Sequence, residues 1–377
     1  MRLTSSDKSY LLPLRRWLAV PLLFLVLPVV VAGAVGAKQS DTPQPPESAE
    51  SLLVQRHYKQ AIKAFERDNA RLGGKSAESY WGIALANWGL GNIERAEDAC
   101  TEALRYAGAN VRLQVMAHNL KAMAAQKLGA AGNQAQLEEA EKEYVAAYEL
   151  EEGYPGRPAI LFNLGVTQLQ AGKTQEGIAT LKSYLAAAPR SSMALAARQM
   201  IAHPFLAARE PEPDFSVTTL DGHTLTLSDL SGKIVLLDFW GAWCPQCRRS
   251  SPILATLWKK FSGQPFVILS VSSDRDTAAW HSFIEQHKMD WPQYLDSNYT
   301  MQRLYGVDTF PDFILIDQNG FLLYRSSGFG PSLQPQLDAV ISTALQNIRL
   351  EQEVGRLRKE LDANRPPQTR NQGVGAQ

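Results

Sequence analysis

Two cysteines, Cys244 and Cys247 in Trp243-Cys244-Pro245-Gln246-Cys247, are the side chains of this sequence best suited to chemistry. A CxxC pair brings two thiols within reach of one small disulfide ring and can shuttle between dithiol and disulfide. An apolar run, KIVLLDFW over 233–240, leads into the motif, and RRSSPILATLWKKF with helical periodicity comes after it. The pattern predicts a strand that ends just before Cys244, and Cys244 at the start of a helix. Unpaired N–H groups at that end carry partial positive charge and stabilise a thiolate, the attacking form of cysteine. Pro245 fits the first helical turn, where its missing N–H costs little. A zinc site would require four ligands, usually with a second paired motif. The only other cysteine is Cys100, and His281 and His287 are six residues apart, on different faces of a helix. Neither a metal nor a cofactor is expected.

The elements that would hold this pair are legible as a change of grammar near residue 212. FVILSV (266–271) and DFILID (312–317) are further short runs rich in β-branched and aromatic residues. Helical stretches lie around 245–261 and 276–288, with another at 332–348. Buried strands alternating with helices predict an α/β layer around a central sheet. TLDGHTLTLSDLSG (219–232) reads as a turn at Asp221-Gly222 and then a short edge strand, and Asp317-Gln318-Asn319-Gly320 as a hairpin turn.

DFWGAWCPQC is similar to the active-site segment of the thioredoxin superfamily. The longer stretch from Pro213 to Leu254 resembles the membrane-anchored ResA/TlpA-like thiol-disulfide oxidoreductases and, more distantly, the AhpC/TSA peroxiredoxins. The resemblance covers about 212–347 and implies a thioredoxin fold with an inserted element at 273–306. It also implies that Cys244 attacks and Cys247 resolves. Pro311 then matches the family's cis proline facing the disulfide, and Asp238, six residues before Cys244, matches the buried acid of thioredoxins. A carboxylate in an apolar strand should have a raised pKa and could accept a proton from Cys247. Trp243, Pro245 and Phe310 are the candidate client-binding residues. Ser250 stands where these proteins often carry a glutamate, and Asp312 comes directly after the proline where threonine is common. An acid at 312 would bias client choice toward basic segments. The lone peroxidatic cysteine of peroxiredoxins, with its upstream threonine and proline, is missing from the motif, so peroxidase activity is not expected.

Upstream, from about 48 to 202, strand signals vanish and alanine and leucine recur at helical spacing. Leu164-Gly165, Gly172, Gly177, Leu181, Tyr184 and Pro189 in one segment have counterparts in Ile83-Ala84, Gly91, Ala96, Cys100 and Ala103, in Ala140, Tyr144, Ala147 and Pro155, and in Tyr58, Ala61 and Phe65. These spacings resemble the tetratricopeptide repeat, a helix-turn-helix unit of about 34 residues. Three repeats and a partial first one are recognisable, the second with a lengthened turn in GAAGNQAQLEEA (129–140). Cys100 falls in the core register of Phe65, Tyr144 and Leu181 and reads as packing. Trp81, Trp88, Tyr106, His118 and Phe162 are candidate surface or inter-repeat residues. Stacked repeats make a surface that binds peptides or proteins.

At the N-terminus, Trp17 to Ala37 is 21 residues without a charge, preceded by Arg2, Lys8, Arg15 and Arg16. That is about the length of a membrane-spanning helix, and the basic flank places the residues after 38 on the far side of the membrane. A signal anchor and a cleaved signal peptide both fit. The expected organisation is therefore 1–37 signal anchor or signal peptide, 38–50 proline-rich linker, 51–202 repeats, 203–211 linker, 212–347 thioredoxin-like domain, and 348–377 helical extension and disordered tail. Lys plus Arg and Asp plus Glu are 38 each, so no basic excess exists to hold a nucleic acid. Three cysteines in 377 residues exclude a disulfide-stapled scaffold.

The expected fold is thus multidomain: an all-α tetratricopeptide-repeat solenoid, then an α/β thioredoxin-like fold, behind an N-terminal export helix. The expected function is a thiol-disulfide oxidoreductase of the cell envelope, its soluble domains on the periplasmic side, acting as a reductase. Its partners would be client proteins with disulfides or thiols, a protein or peptide on the repeats, and a membrane-embedded electron donor, since glutathione does not serve that side. The alternative is a repeat-based assembly or scaffold protein whose thioredoxin-like domain acts mainly as a binding module.

Overall fold

The computed structural model describes residues 47–363. The apolar N-terminal segment, most of the spacer and the tail from 364 lie outside the described residues. Among the described residues, no helix is long and apolar enough to cross a membrane. The chain divides into two units, one running to Asp214 and taking in Leu304–Gly306, the other made of the remaining residues from Phe215.

The first unit is helical: α1 (Ala49–Val54), α2 (Tyr58–Arg71), α3 (Ala77–Leu90), α4 (Ile93–Tyr106), α5 (Val111–Gly129), α6 (Gln134–Leu150), α7 (Arg157–Gln170), α8 (Thr174–Ala187) and α9 (Ala194–Ala202). The pairs α3/α4, α5/α6 and α7/α8 are the three repeats, and α1/α2 is a shortened first one. The side chains of Ser48, Ser76, Asn110 and Asn133 accept a first-turn N–H of α1, α3, α5 and α6 and satisfy donors that a helix start leaves open. Gly91, at φ 80°, ends α3 in a left-handed turn that other residues resist. Gly82 lets α2 and α3 approach closely, because a Cβ there would lie 2.3 Å from the ring of Phe65.

The second repeat departs from the others. Its helices run 19 and 17 residues against 14 in α3, α4, α7 and α8, so the extra length lies in the helices as well as in the turn. Cys100 is fully buried in α4, as Phe65, Tyr144 and Leu181 are in α2, α6 and α8. Burial pushes its thiol pKa up, so it packs as a small apolar side chain. Trp88 and Phe162 are buried rather than displayed, and His118 is hydrogen-bonded to Glu143. Beyond α9, a 3-10 turn at Pro204–Ala208 buries Leu206 and Ala207, and the Gln170 amide donates to the Ala207 carbonyl at 2.9 Å.

The second unit is built on a five-stranded sheet of order β5-β4-β3-β6-β7, with β3 (Ile234–Trp240), β4 (Phe266–Ser272), β5 (Gln293–Leu295), β6 (Asp312–Ile316) and β7 (Leu322–Ser327). β3, β4 and β5 run parallel, and β6 and β7 complete the sheet antiparallel. β3 is central and every residue in it is buried, which explains an uninterrupted apolar run broken only by Asp238. Side chains alternate across a strand. Ile234, Leu236 and Trp240 share a buried cluster with Leu254 and Leu257 of α10 (Pro245–Lys260) and with Leu337 and Ile341 of α13 (Leu333–Ala363).

The segment 219–232 turns at Asp221-Gly222 and continues as the short strand β2 (Thr224–Thr226), which pairs with β1 (Ser216–Thr218) in a separate two-stranded sheet. The insertion contributes α11 (Thr277–His287), β5 and α12 (Thr300–Leu304). The β6–β7 hairpin turns where expected: the Asp317 carboxylate accepts from the N–H groups of Asn319 and Phe321, and Gly320 takes φ 87°.

Candidate active site

β3 ends at Trp240, and a three-residue loop delivers Cys244 to the N-cap of α10. Cys244 and Cys247 are joined in a disulfide. The Sγ of Cys244 accepts the N–H of Cys247 at 3.2 Å, a capping bond made by sulfur where serine or aspartate would usually serve. Donation to this one sulfur favours a negative charge on Cys244 once the disulfide opens. Both cysteines are nearly buried, while Trp243, Pro245 and Gln246 are exposed around them. Ser250 turns inward and donates to the carbonyl of Cys247 at 2.9 Å. Nothing at this position replaces the family's glutamate.

Two residues without a local sequence signal hold the loop. The buried Asp274 carboxylate accepts from the N–H of Ala242 at 2.9 Å and from the Ser272 hydroxyl at 2.7 Å. From the other side, Arg248 Nε donates to the carbonyl of Ala242 at 2.6 Å. Ala242 is thus clamped through both its backbone groups, and the residues on either side inherit its position. Trp243 folds back over Gly241, where a Cβ would lie 2.5 Å from the indole nitrogen. Asp274→Ala would strand a buried N–H and a buried hydroxyl. It is expected to destabilise the second unit by about 2–3 kcal/mol, read as a lowered urea midpoint. A change below about 0.5 kcal/mol would mean that other contacts hold the loop.

The Phe310–Pro311 peptide bond is cis. The Pro311 carbonyl accepts from Gly328 N–H at 2.7 Å. Phe310 meets Trp243 edge-to-face with ring centroids 5.6 Å apart, which brings the proline loop against the cysteine loop. Both rings line a cleft of about 900 Å³ that also takes in Arg248, Arg275, His287 and Tyr299. Trp243 is 57% exposed, a large apolar side chain displayed at the mouth of this cleft. Asp312, by contrast, is not displayed at the surface. It is 1% exposed and bound by the Arg325 guanidinium and the Ser327 hydroxyl. β-Sheet alternation turns it to the face opposite Phe313, so its charge is satisfied internally and the expected bias toward basic clients has no basis there.

Asp238 is 1% exposed. By alternation it shares the face of Leu236 and Trp240, the one α10 covers. Its neighbours in register are Ser270 on β4 and Phe313 on β6. Burial pushes its pKa up to about 7, an effect that the hydrogen bond from Ser270 partly offsets. One carboxylate oxygen, Oδ1, has no hydrogen-bond partner. A carboxyl buried on the sheet face that α10 covers, with its pKa pushed up to about 7, can exchange a proton near neutral pH.

Residues 208–325 match the AhpC/TSA family, and residues 47–111 and 127–192 match the tetratricopeptide repeat. The thiol-disulfide oxidoreductase ResA of Bacillus thuringiensis subsp. konkukian is 32% identical over 116 residues, 31% of this chain and 67% of that protein. ResA of Geobacillus kaustophilus is 36% identical over 108 residues, 29% of this chain and 62% of that protein. Among solved structures, the thioredoxin domain of a thiol-disulfide oxidoreductase from Bacteroides vulgatus is 31% identical, covering 35% of this chain and 96% of that one, with a TM-score of 0.32. Sequence kinship of this extent, carried on a thioredoxin-like sheet with a disulfide at a helix N-cap beside a cis proline, leads to one conclusion: the chain belongs to the ResA/TlpA-like thiol-disulfide oxidoreductases, thioredoxin-like members of the AhpC/TSA family, here preceded by tetratricopeptide repeats.

Proposed function

We propose that this protein is an extracytoplasmic disulfide reductase whose Cys244–Cys247 pair exchanges with client proteins recruited by the repeat unit. The observation that carries the reading is the capped disulfide: Cys244 sulfur at the helix N-terminus, accepting Cys247 N–H, next to the exposed Trp243, the half-buried Phe310 and a cleft. The Cys244 thiolate attacks one sulfur of a client disulfide. The client S–S bond breaks, a mixed disulfide forms, and the displaced client sulfur leaves as thiolate and is protonated from solvent. Asp238 then takes the proton of the Cys247 thiol, directly or through one water. The Cys247 thiolate attacks Cys244 sulfur, closing the internal disulfide and releasing the second client thiolate. Two electrons have passed from the protein to the client. A dithiol of a membrane-embedded donor restores them by the reverse exchange, and the proton on Asp238 returns to Cys247.

Trp243, Phe310 and Pro245 form the client-facing rim, and the backbone around Pro311 pairs with an extended client segment. In the repeat unit, a cavity of about 140 Å³ lined by Trp88, Lys127, Asn163 and Gln170 is a candidate anchor for a partner side chain. The N-terminal apolar segment serves as signal anchor or signal peptide. Alkylation trapping of growing cells, together with the reduction potential of the purified chain, tests the reading. A reductase holds Cys244 and Cys247 mainly as thiols and has a potential toward the thioredoxin end of the range, about −270 mV. A steady-state disulfide with a potential near about −120 mV would make the protein an oxidant of its clients. Full cellular function of a double Cys→Ser variant would reduce the domain to a binding module.

A further inference from the structure

Asp238 sits in a chain of three buried groups that runs across the sheet. Trp291 Nε1 is 2.8 Å from Ser270 Oγ, and Ser270 Oγ is 2.8 Å from Asp238 Oδ2. Ser270 is fully buried, and Trp291 is 3% exposed. An indole nitrogen donates and never accepts. Ser270 must therefore receive the bond from Trp291 on a lone pair, and its single hydroxyl hydrogen is left for the one acceptor in reach, Asp238 Oδ2. With Oδ2 already accepting, a proton on the carboxyl has its place on Oδ1, the oxygen without a partner. Among the described residues, no charged group shifts this carboxyl. β6 contributes Phe313 beside Asp238, while Asp312 faces the other way into Arg325. Asp274 is committed to Ala242 and Ser272. α10, α11 and α13 meet this face with apolar side chains, among them Leu254, Phe283 and Leu337, and α10 adds Cys244 and Cys247 to the same buried cluster.

We propose that Trp291 and Ser270 are positioning residues that reserve Oδ1 as the one oxygen of Asp238 through which the proton of Cys247 passes. The inference rests on the reading of Asp238 as proton acceptor. It assigns a task to the insertion, because Trp291 lies just before β5. The transfer itself is balanced: the Cys247 S–H bond breaks, the Oδ1–H bond forms, and the electron pair left on sulfur attacks Cys244 of the mixed disulfide.

The test uses the full reduced chain mixed with 5,5′-dithiobis(2-nitrobenzoate). The first thionitrobenzoate release reports attack by Cys244, and the second reports attack by Cys247 on the resulting mixed disulfide. Ser270→Ala removes a bond to the carboxylate and is expected to slow the second release at neutral pH and to move its pH midpoint upward by about one unit. Trp291→Phe frees the hydroxyl to turn and is expected to move the midpoint the same way by less. Trp291→Phe added to Ser270→Ala is expected to change nothing further, since the indole acts only through the hydroxyl. Ser270→Thr keeps the hydroxyl and should keep the profile. Additive shifts, or an unmoved midpoint in Ser270→Ala while Asp238→Asn flattens the profile, would overturn the relay and leave the role of Asp238 standing. An unchanged profile in Asp238→Asn itself would instead remove the reading on which the relay rests.

Discussion

Cys247→Ser is expected to accumulate covalent mixed disulfides with client proteins, and Cys244→Ala is expected to accumulate none. The asymmetry comes from the N-cap. Cys244 sulfur is the acceptor of a helical N–H, and the charge of the helix terminus stabilises its thiolate, so it makes the first bond to the client. Cys247 sits one turn inside α10, in disulfide contact with Cys244. Its attack is therefore intramolecular, and such well-oriented reactions reach effective concentrations of about 10⁵ M or more. A serine hydroxyl cannot replace it, because oxygen does not displace sulfur from a disulfide at neutral pH. The mixed disulfide should then persist at least about a thousandfold longer, limited by attack from external thiols. Non-reducing electrophoresis and mass spectrometry of acid-quenched cells expressing each full-length variant would read the difference. Equal trapping by the two variants would reassign the attacking and resolving sulfurs.

Asp238→Asn is expected to gain stability on the parent as pH rises, by about 4 kcal/mol between pH 4 and pH 8. The folded carboxyl titrates at about 7, whereas an unfolded aspartate titrates near about 3.9. Between those two values the folded state keeps a proton that the unfolded state has released. Raising the pH through this window therefore destabilises the fold by about 1.4 kcal/mol per pH unit. Over about three units the loss reaches about 4 kcal/mol, and it levels off above the folded pKa. The asparagine carries no ionisation and escapes the slope. Its own burial cost is independent of pH, so the measurement is the change of the difference with pH, from urea unfolding of the second unit in both proteins. Parallel stability curves would mean that Asp238 is ionised at little cost in the fold, and its use as a proton acceptor near neutrality would fall with it.

Much of this molecule is legible from local pattern. The run from Ile234 to Trp240, the CPQC segment and the helix after it are contiguous, so strand, N-cap and helix can be read in one pass. Asp317 and Gly320 mark their hairpin because turn chemistry is confined to four residues. The small residues and the Cys100 register of the repeats recur at helical spacing. Short elements held by distant partners are not legible. β5 is three residues whose strand partner is β4, with a further bond from Leu220 N–H to the Gln293 carbonyl. The short strand after Asp221-Gly222 is legible, but its pairing with β1 is not, because alternation cannot tell which sheet a strand joins.

The site divides along the same line. Local pattern is enough to pick out the atoms proposed to carry the chemistry: two thiols one helical turn apart, an acid buried in a strand, and a proline ahead of another strand. Each depends on its neighbours in the chain, where periodicity and capping act. How those atoms are held comes from contacts between distant segments. Asp274 grips Ala242 across 32 residues, Trp291 reaches Ser270 across 21, and Arg325 takes up Asp312 across the β6–β7 hairpin. These contacts join side chains that sheet register brings together. No spacing along the chain encodes them, because register is the outcome of burying all the strands at once.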